Sequence, residues 1–352
     1  MKNDTIKFAE DNAPPPCCEE GKRGVIVNPG ALGDCILILP LAEYMIKTLD
    51  LSSVDIIGKT DYVDFCPGRT CIRNVRAIDS IQFHRFFVDE KDFSFEEKDP
   101  LVSAFAGYEW IVSFLGEAET DFEKNLIFTI YSTQSAEVSI LPIFAPDGSD
   151  CHIADFYIRK FIRENEFEPT EYKFNTAGTL INPVNTDVQW GRQLLASVGI
   201  NPDAKTVIIQ PGSGGKHKCW HLDNYCKIAS DLADNGYQPL FLLGPAEQER
   251  FTDSQKQKLN NAGKMIFSLN IKQVMQLLSA SAGYIGNDSG VTHLAGATGT
   301  KTIAIFGPTA PNVYKPIGPK VVAVTAEPTS FSEYSENSQI LVKEAIYSLL
   351  ND

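Results

Sequence analysis

Short apolar strands alternate with amphipathic helices along the second half of the chain. The strands are predicted at TVIIQ (206–210), QPLFLLG (238–244), MIFSL (265–269), YIG (284–286), TIAIFG (302–307) and VVAVTA (321–326). Between the first two, apolar residues recur at helical spacing from Leu222 to Leu232, and Gly236 ends that helix. Such alternation indicates a parallel sheet with helices on both faces. It therefore predicts a doubly wound α/β domain, which binds ligands at the carboxyl ends of its strands.

The first half has the same rhythm. Strands are predicted at 25–27, 53–58 and 110–115, a helix over 36–46, and a surface helix or loop over 86–100. The stretch FNTAGTLINPVNTDVQW (174–190) is rich in Asn, Thr, Gly and Pro and is typical of a linker. The sequence thus predicts a flexible tail (1–22), a first domain (23–180) and a second domain (181–352), whose last helix could pack back on the first domain.

The turn NPGALGD (28–34) follows the first strand and opens a helix. A strand, a glycine turn and a helix N-terminus usually form a phosphate cradle, because the first amides and the helix dipole favour an anion. Here the turn ends in Asp34, whose carboxylate would repel a phosphate. The sequence therefore predicts a turn that has the geometry of a phosphate cradle but a function other than phosphate binding.

Three loops of the second half fall at strand ends. QPGSGGKHKCW (210–220) has two interpretations. It is either a flexible glycine turn with two surface lysines, or a loop whose glycines let the backbone approach an anion that the lysines neutralise. LLGPAEQE (242–249) contains Glu247, whose carboxylate is either stabilised by the dipole at a helix start or binds a ribose. GNDSGVTHLAGATG (286–299) begins a helix whose first amides can bind an anion. Asp288 is either a ligand-binding residue or the N-cap of this helix, and His293 is either a site residue or a packed side chain. The candidate donor-site residues are Ser213, Gly214, Gly215, Lys216, Lys218, Glu247, Asp288, Ser289, Gly290, Val291 and His293.

Charge is distributed unevenly. The net charge is −14, and residues 1–175 carry the whole excess of acid, since residues 176–352 hold 14 basic and 14 acidic residues. This argues against a nucleic-acid partner, which requires a basic surface. One basic stretch interrupts the acidic half and is either a solvated surface or a contact for an acidic acceptor. Its arginines are Arg69, Arg73, Arg76 and Arg85.

Several classes of site and location are disfavoured. The chain has no Asp-x-Asp and no His/Cys cluster, so no metal site is predicted. It has no apolar run near the ~20 residues of a membrane span, and its N-terminus lacks the apolar core of a signal peptide. A cytoplasmic protein, at most in peripheral contact with a membrane, is predicted.

The motifs GALGDCILILP, PGSGGKHKCW, NDSGVTHLAGATGT and FGPTAPNVYKP resemble glycosyltransferase family 9, the bacterial lipopolysaccharide heptosyltransferases, in order and spacing. The resemblance covers about residues 24–350. It implies the GT-B fold, in which two Rossmann-like domains face each other across a cleft. It also implies an inverting, metal-independent transfer of a sugar, with ADP-heptose as the first candidate donor, to a lipopolysaccharide-core or related glycan acceptor, and no cofactor besides the nucleotide sugar.

Residue by residue, the resemblance assigns the catalytic base to Asp34 and a phosphate-binding lysine to Lys218, with Lys216 as a competitor. It assigns the helix-start donor site to Asp288, Ser289 and Gly290, and a ribose-binding acid to Glu247. An inverting displacement needs a base on one wall and positive charge for the leaving diphosphate on the other. Two alternatives stay open, a nucleotide-sugar epimerase of the same architecture and a non-catalytic sugar-nucleotide binder.

Overall fold

The computed structural model describes residues 21–96, 98–132, 134–146, 148–168, 174–327 and 331–351. Residues 1–20 of the predicted tail lie outside the described residues. In the part described, none of the helices combines the length and apolar character that a membrane crossing requires.

The first domain contains a five-stranded parallel sheet in the order β3-β2-β1-β4-β5. The central strand is buried from Val25 to Val27, as expected of a strand covered on both faces. The strands of this sheet are β1 (Arg23–Asn28), β2 (Ser53–Gly58), β3 (Ile72–Ala77), β4 (Trp110–Ser113) and β5 (Glu137–Ile140). Its helices are α1 (Leu32–Leu37), α2 (Leu39–Thr48), α3 (Thr60–Val63), α4 (Pro100–Ala104), α5 (Asp121–Tyr131) and α6 (Ile153–Glu164).

The second domain contains a six-stranded parallel sheet in the order β11-β10-β9-β6-β7-β8. Its strands are β6 (Thr206–Gln210), β7 (Gln238–Leu243), β8 (Lys264–Phe267), β9 (Gly283–Asn287), β10 (Thr302–Phe306) and β11 (Val321–Thr325). Its helices are α7 (Asn185–Ser197), α8 (Leu222–Asp234), α9 (Pro245–Arg250), α10 (Asp253–Ala262), α11 (Ile271–Ser279), α12 (Gly290–Ala297), α13 (Pro311–Tyr314) and α14 (Glu336–Asn351). The strand order is that of a Rossmann fold.

The α/β prediction is confirmed, and the predicted helix over 36–46 is divided in two. The helix expected over 36–46 begins earlier and breaks at Ile38, because Pro40 in the first turn of α2 has no N–H to continue the ladder. The segment after β7 forms α9 and α10, because the Thr252 hydroxyl accepts a hydrogen bond from the Gln255 amide (3.3 Å) and starts a new helix. The 86–100 stretch is mostly loop after a short 3-10 helix, Phe83–Phe87.

The two sheets place their switch points, between β1 and β4 and between β6 and β9, on the sides where the domains meet. There α1 packs against α12. A second contact joins the Arg69 guanidinium to the buried Asp187 carboxylate at the start of α7 (2.7 Å). In a third, His152 Nε2 lies 2.8 Å from the Lys315 carbonyl. The last helix, α14, packs on strands β10 and β11 and on helix α8, all in the second domain.

Candidate active site between the domains

The turn after β1 is held by its own side chains. The buried Asn28 Oδ1 accepts a hydrogen bond from the Gly30 amide (2.8 Å), and Asp34 Oδ2 accepts one from the Ala31 amide (2.8 Å). Ala31 is the N-cap of α1, so Asp34 stands in the first helical turn, where the dipole favours a carboxylate. A Cβ on Gly30 would lie 2.5 Å from Asp34 Cβ, so the tight turn requires glycine. Asp34 is half-buried at the interface.

The turn after β9 opens a second helix at the same interface. Ser289 is the N-cap of α12, and its hydroxyl accepts a hydrogen bond from the Thr292 amide (3.4 Å). The amides of Gly290 and Val291 belong to the first turn of α12 and carry no intrahelical partner. Both residues line a pocket, together with Ser289. This end of α12 therefore has the character of an anion site.

The two helix starts meet at a glycine contact. A Cβ on Gly290 would lie 2.8 Å from Leu32 Cβ and 3.1 Å from the Gly33 amide nitrogen. A Cβ on Gly33 would lie 3.2 Å from His293 Cδ2. The absence of side chains at both positions brings the carboxylate-bearing turn of the first domain next to the amide-bearing turn of the second.

Asn287, at the end of β9, organises the glycine loop that follows β6. Its Oδ1 accepts hydrogen bonds from the Trp220 amide (2.9 Å) and the Tyr225 hydroxyl (2.8 Å), and its Nδ2 donates to the carbonyls of Pro211 (2.9 Å) and Gly212 (3.1 Å). The residue is fully buried. Sequence reasoning missed it, although its place next to Asp288 at a strand end was a signal.

Arg250 is a second residue that sequence reasoning missed. From the end of α9 its guanidinium donates to the carbonyls of Ser213 (3.2 Å) and Gly214 (3.1 Å). The Ser213 hydroxyl in turn donates to the Asp288 carbonyl (2.8 Å), which ties the glycine loop to the start of α12. The loop is thereby held from two sides, and the Arg250 guanidinium places a positive charge beside it.

Asp288 binds the lysine that follows the glycine loop. Lys218 Nζ lies 2.8 Å from Asp288 Oδ2, which also accepts a hydrogen bond from the Thr309 hydroxyl (2.9 Å). His293 Nε2 is 3.7 Å from Asp288 Oδ1. Burial raises the pKa of Asp288, but the interactions with His293 and Lys218 outweigh it, and the pKa lies well below its usual range. Lys216 is exposed on the same loop.

Glu247 lies on the other side of the glycine loop. Its Oε2 accepts a hydrogen bond from the Gly244 amide (2.7 Å) in the first turn of α9. Its carboxylate occupies the space that a Cβ on Gly212 would need. The side chain is buried and lines the pocket. The helix-start interpretation therefore applies to Glu247, and the binding of a ribose by this carboxylate stays a prediction.

A pocket of about 290 Å³ lies between these turns. Of the predicted donor-site residues it is lined by Ser213, Gly214, Glu247, Ser289, Gly290 and Val291; Gly215, Lys216, Lys218, Asp288 and His293 lie outside its lining. Its apolar lining was missed, because residues from several separate elements form it and only Leu242 and Leu243 lie in a quoted motif. These residues are Tyr62, Leu242, Leu243, Leu269, Ile271 and Val274.

The arginines of the basic stretch have different surroundings. Arg69 forms a bidentate ion pair with Asp187, and Arg85 pairs with Asp99 (2.8 Å). The guanidinium of the exposed Arg76 donates to the Ala104 carbonyl (3.3 Å), and Arg73 is half-buried. Arg69 therefore already has a partner that joins the domains.

Over the described ranges, no three His, Cys, Asp or Glu side chains come together as a metal site. The site instead combines a carboxylate turn in the first domain with helix amides, a lysine and an arginine in the second. Two Rossmann-like domains that meet across such a site define the GT-B class.

Comparison with known proteins places the chain within this class. Residues 183–341 match the model of glycosyltransferase family 9 (heptosyltransferase). Lipooligosaccharide heptosyltransferase 2 of Haemophilus influenzae is 30% identical over 119 residues, which are 31% of this chain and 33% of the relative. The chain thus matches about a third of the length of that curated relative. The resemblance predicted from the sequence is confirmed.

Solved structures confirm the fold over nearly the whole chain. A glycosyltransferase family 9 structure from Veillonella parvula has a TM-score of 0.67 at 15% identity, covering 94% of this chain and 97% of that one. The structure of E. coli heptosyltransferase WaaC with ADP has a TM-score of 0.63 at 14% identity, covering 93% and 99%. The predicted GT-B fold is therefore confirmed.

Proposed function

We propose that this chain is an inverting glycosyltransferase that moves a sugar from a nucleoside-diphosphate donor to a glycan or glycolipid acceptor. The observation that carries the proposal is the meeting of the Asp34 turn with the start of α12 beside a pocket. Heptose from ADP-heptose, transferred to a lipopolysaccharide-core acceptor, is the first candidate, because the matched relative is named a heptosyltransferase.

Each wall of the cleft would supply one half of the chemistry. Asp34 would accept the proton of the acceptor hydroxyl as that oxygen attacks the anomeric carbon. On the opposite face, the amides of Ser289, Gly290 and Val291 would stabilise the diphosphate as the bond to the sugar breaks. Attack and departure on opposite faces invert the anomeric centre. Glu247 is placed to accept hydrogen bonds from the donor ribose.

Positive charge for the diphosphate would come from Lys218 and Arg250. Lys218 is half-buried and oriented by Asp288, whereas Lys216 is exposed, which favours Lys218 for the phosphate role. A lysine held by a carboxylate loses less conformational freedom when it binds a phosphate. With these two cations and the helix dipole, the reaction is proposed to need no metal.

The acceptor side is proposed from exposure and position. Arg76, near the carboxyl end of edge strand β3, is exposed, and Arg73 precedes it on the same strand. These two arginines are the proposed contacts for an acidic acceptor because of their position on this edge strand. We propose a cytoplasmic enzyme with at most peripheral contact with the inner membrane, and the acidic first half disfavours nucleic acid.

Asp34→Asn tests the proposal. Asn can keep the hydrogen bond from the Ala31 amide but cannot take a proton, so transfer should fall by about 10²–10⁴-fold while ADP affinity and melting temperature stay unchanged. Asp50→Asn, an exposed carboxylate after α2, is the matched control. Near-normal transfer by the Asp34 variant would contradict the catalytic assignment. Conversion of the donor sugar without an acceptor would favour the epimerase alternative.

A further inference from the structure

The lining of the pocket combines polar and apolar side chains. Ser213, Glu247 and Ser289 bring polar groups to it, and the proposed function places the ribose and phosphates of a donor beside them. Leu269, just before α11, and Ile271, at its start, bring aliphatic side chains to the same lining. The second domain thus supplies a surface on which a planar base could lie.

The first domain contributes an aromatic ring to the same pocket. Tyr62, in α3, lines it from across the cleft. Tyr62 and Ile271 line the same pocket from the two domains. The aromatic ring of α3 and the aliphatic side chain at the start of α11 therefore border one cavity. Two residues after Tyr62, burial raises the pKa of the Asp64 carboxyl, and the charge of Lys272, next to Ile271, opposes that rise.

Neighbouring contacts hold Tyr62 in position. Its ring packs against a buried cluster to which both domains contribute, and Lys59 Nζ lies 5.8 Å from the ring centroid. Further along α11, Gln276 donates a hydrogen bond to Asp187 (3.1 Å), the carboxylate that binds Arg69. Through Asp187 and Arg69, α11 is therefore joined to the first domain.

We propose that Tyr62 is a nucleobase contact supplied by the first domain, so that the donor base is enclosed only when the two domains are together. This inference rests on the proposed nucleotide-sugar function. An aromatic ring adds stacking to the aliphatic wall made by the second domain. By linkage, a base that touches both domains favours the closed arrangement, and closure favours the base to the same extent.

The test compares a ligand that has a base with one that has none. Calorimetry on the full chain measures the affinities for ADP, UDP and GDP, then carries the tightest binder and inorganic pyrophosphate to the Tyr62 variants. We expect about tenfold weaker nucleotide binding for Tyr62→Ala, in the range of one lost stacking contact, and unchanged pyrophosphate binding. Tyr62→Phe should stay within about twofold of the parent on this scale.

Two further variants keep the test decisive. Tyr62→Leu retains apolar packing and loses the ring, so it should also bind nucleotide several-fold more weakly, and it decides the question if the alanine variant does not fold. Tyr131→Ala, an exposed tyrosine at the end of α5, controls for loss of an aromatic side chain.

Each other outcome overturns the inference in a distinct way. Unchanged nucleotide affinity in Tyr62→Leu would remove the base contact. Equal losses for nucleotide and pyrophosphate would make Tyr62 a general support of the domain arrangement. If the parent chain bound none of the three nucleotides, the proposed function itself would fail, and this inference with it.

Discussion

The turn after β1 and the turn after β9 share one plan and present different groups to the interface. Each follows a strand at a switch point, each strand ends in a fully buried asparagine, and each turn opens a helix at the interface. The first places the Asp34 carboxylate in the first helical turn, whereas the second presents Ser289 and the first amides of α12 and pairs its own carboxylate, Asp288, with Lys218. The comparison teaches that the geometry of an anion cradle does not fix its function, because the function also depends on where the turn places its carboxylate.

The two asparagines differ in how they are used. Asn287 makes four hydrogen bonds to the glycine loop and α8, so the second turn is fixed by distant parts of its domain. Asn28 accepts one local bond, and its buried Nδ2 has no hydrogen-bond partner within the described residues. The second turn is anchored by a network that reaches distant parts of its domain, and the first by two of its own side chains, Asn28 and Asp34.

The largest effect should come from Asn287→Ala. It leaves two donors and two acceptors unsatisfied in a buried site, so we expect a loss of about 3–5 kcal/mol, measured by urea unfolding. Asn28→Ala removes one bond and one unsatisfied amide, and should cost about 1 kcal/mol. Similar losses for the two variants would mean that the network does not distinguish the turns.

Lys218→Ala tests the cation that accompanies the second turn. Its loss should weaken ADP binding by about 1.5–3 kcal/mol, the range for a charge-assisted bond, and adenosine binding much less, because adenosine has no phosphate. Calorimetry with both ligands measures the difference. Lys216→Ala, on the same loop, is the matched control. A selective loss in that control would transfer the phosphate role to Lys216.

The sequence predicted the framework of this site because its signals are local. Glycine turns, strand ends and helix starts reveal themselves within a few residues, and they identified the Asp34 turn, the glycine loop and the start of α12. The ion pair of Arg69 with Asp187 joins residues 118 positions apart, and such pairing has no local signature. Tyr62 lines the pocket from the first domain, far along the chain from the other lining residues, so no motif could predict it.

The glycine contact between the turns gives a smaller effect. An added methyl on Gly290 would press on Leu32 Cβ and on the Gly33 backbone, so Gly290→Ala should cost about 1–3 kcal/mol. Gly33→Ala meets the His293 ring edge at 3.2 Å and should cost less than about 1 kcal/mol. Melting temperatures compare the two variants. A larger loss at Gly33 would show that the His293 ring yields less easily than the Leu32 side chain and the Gly33 backbone.

The smallest effect concerns the turn after β9, where Asp288 makes the free energy of unfolding depend on pH in acid. The pKa of Asp288 is lowered in the folded chain, against about 3.9 for a free aspartate, so the ionised Asp288 stabilises the fold above that value. This stabilisation is lost as the pH falls through the lowered pKa, because the unfolded chain takes up the proton first. Unfolding free energies of the parent chain and Asp288→Asn should therefore converge by about 1 kcal/mol between pH 6 and pH 3. Asp234→Asn, an exposed residue of α8, should run parallel to the parent chain over this range. A constant difference for Asp288→Asn across the titration would mean that its ion pair with Lys218 does not favour the charged carboxylate.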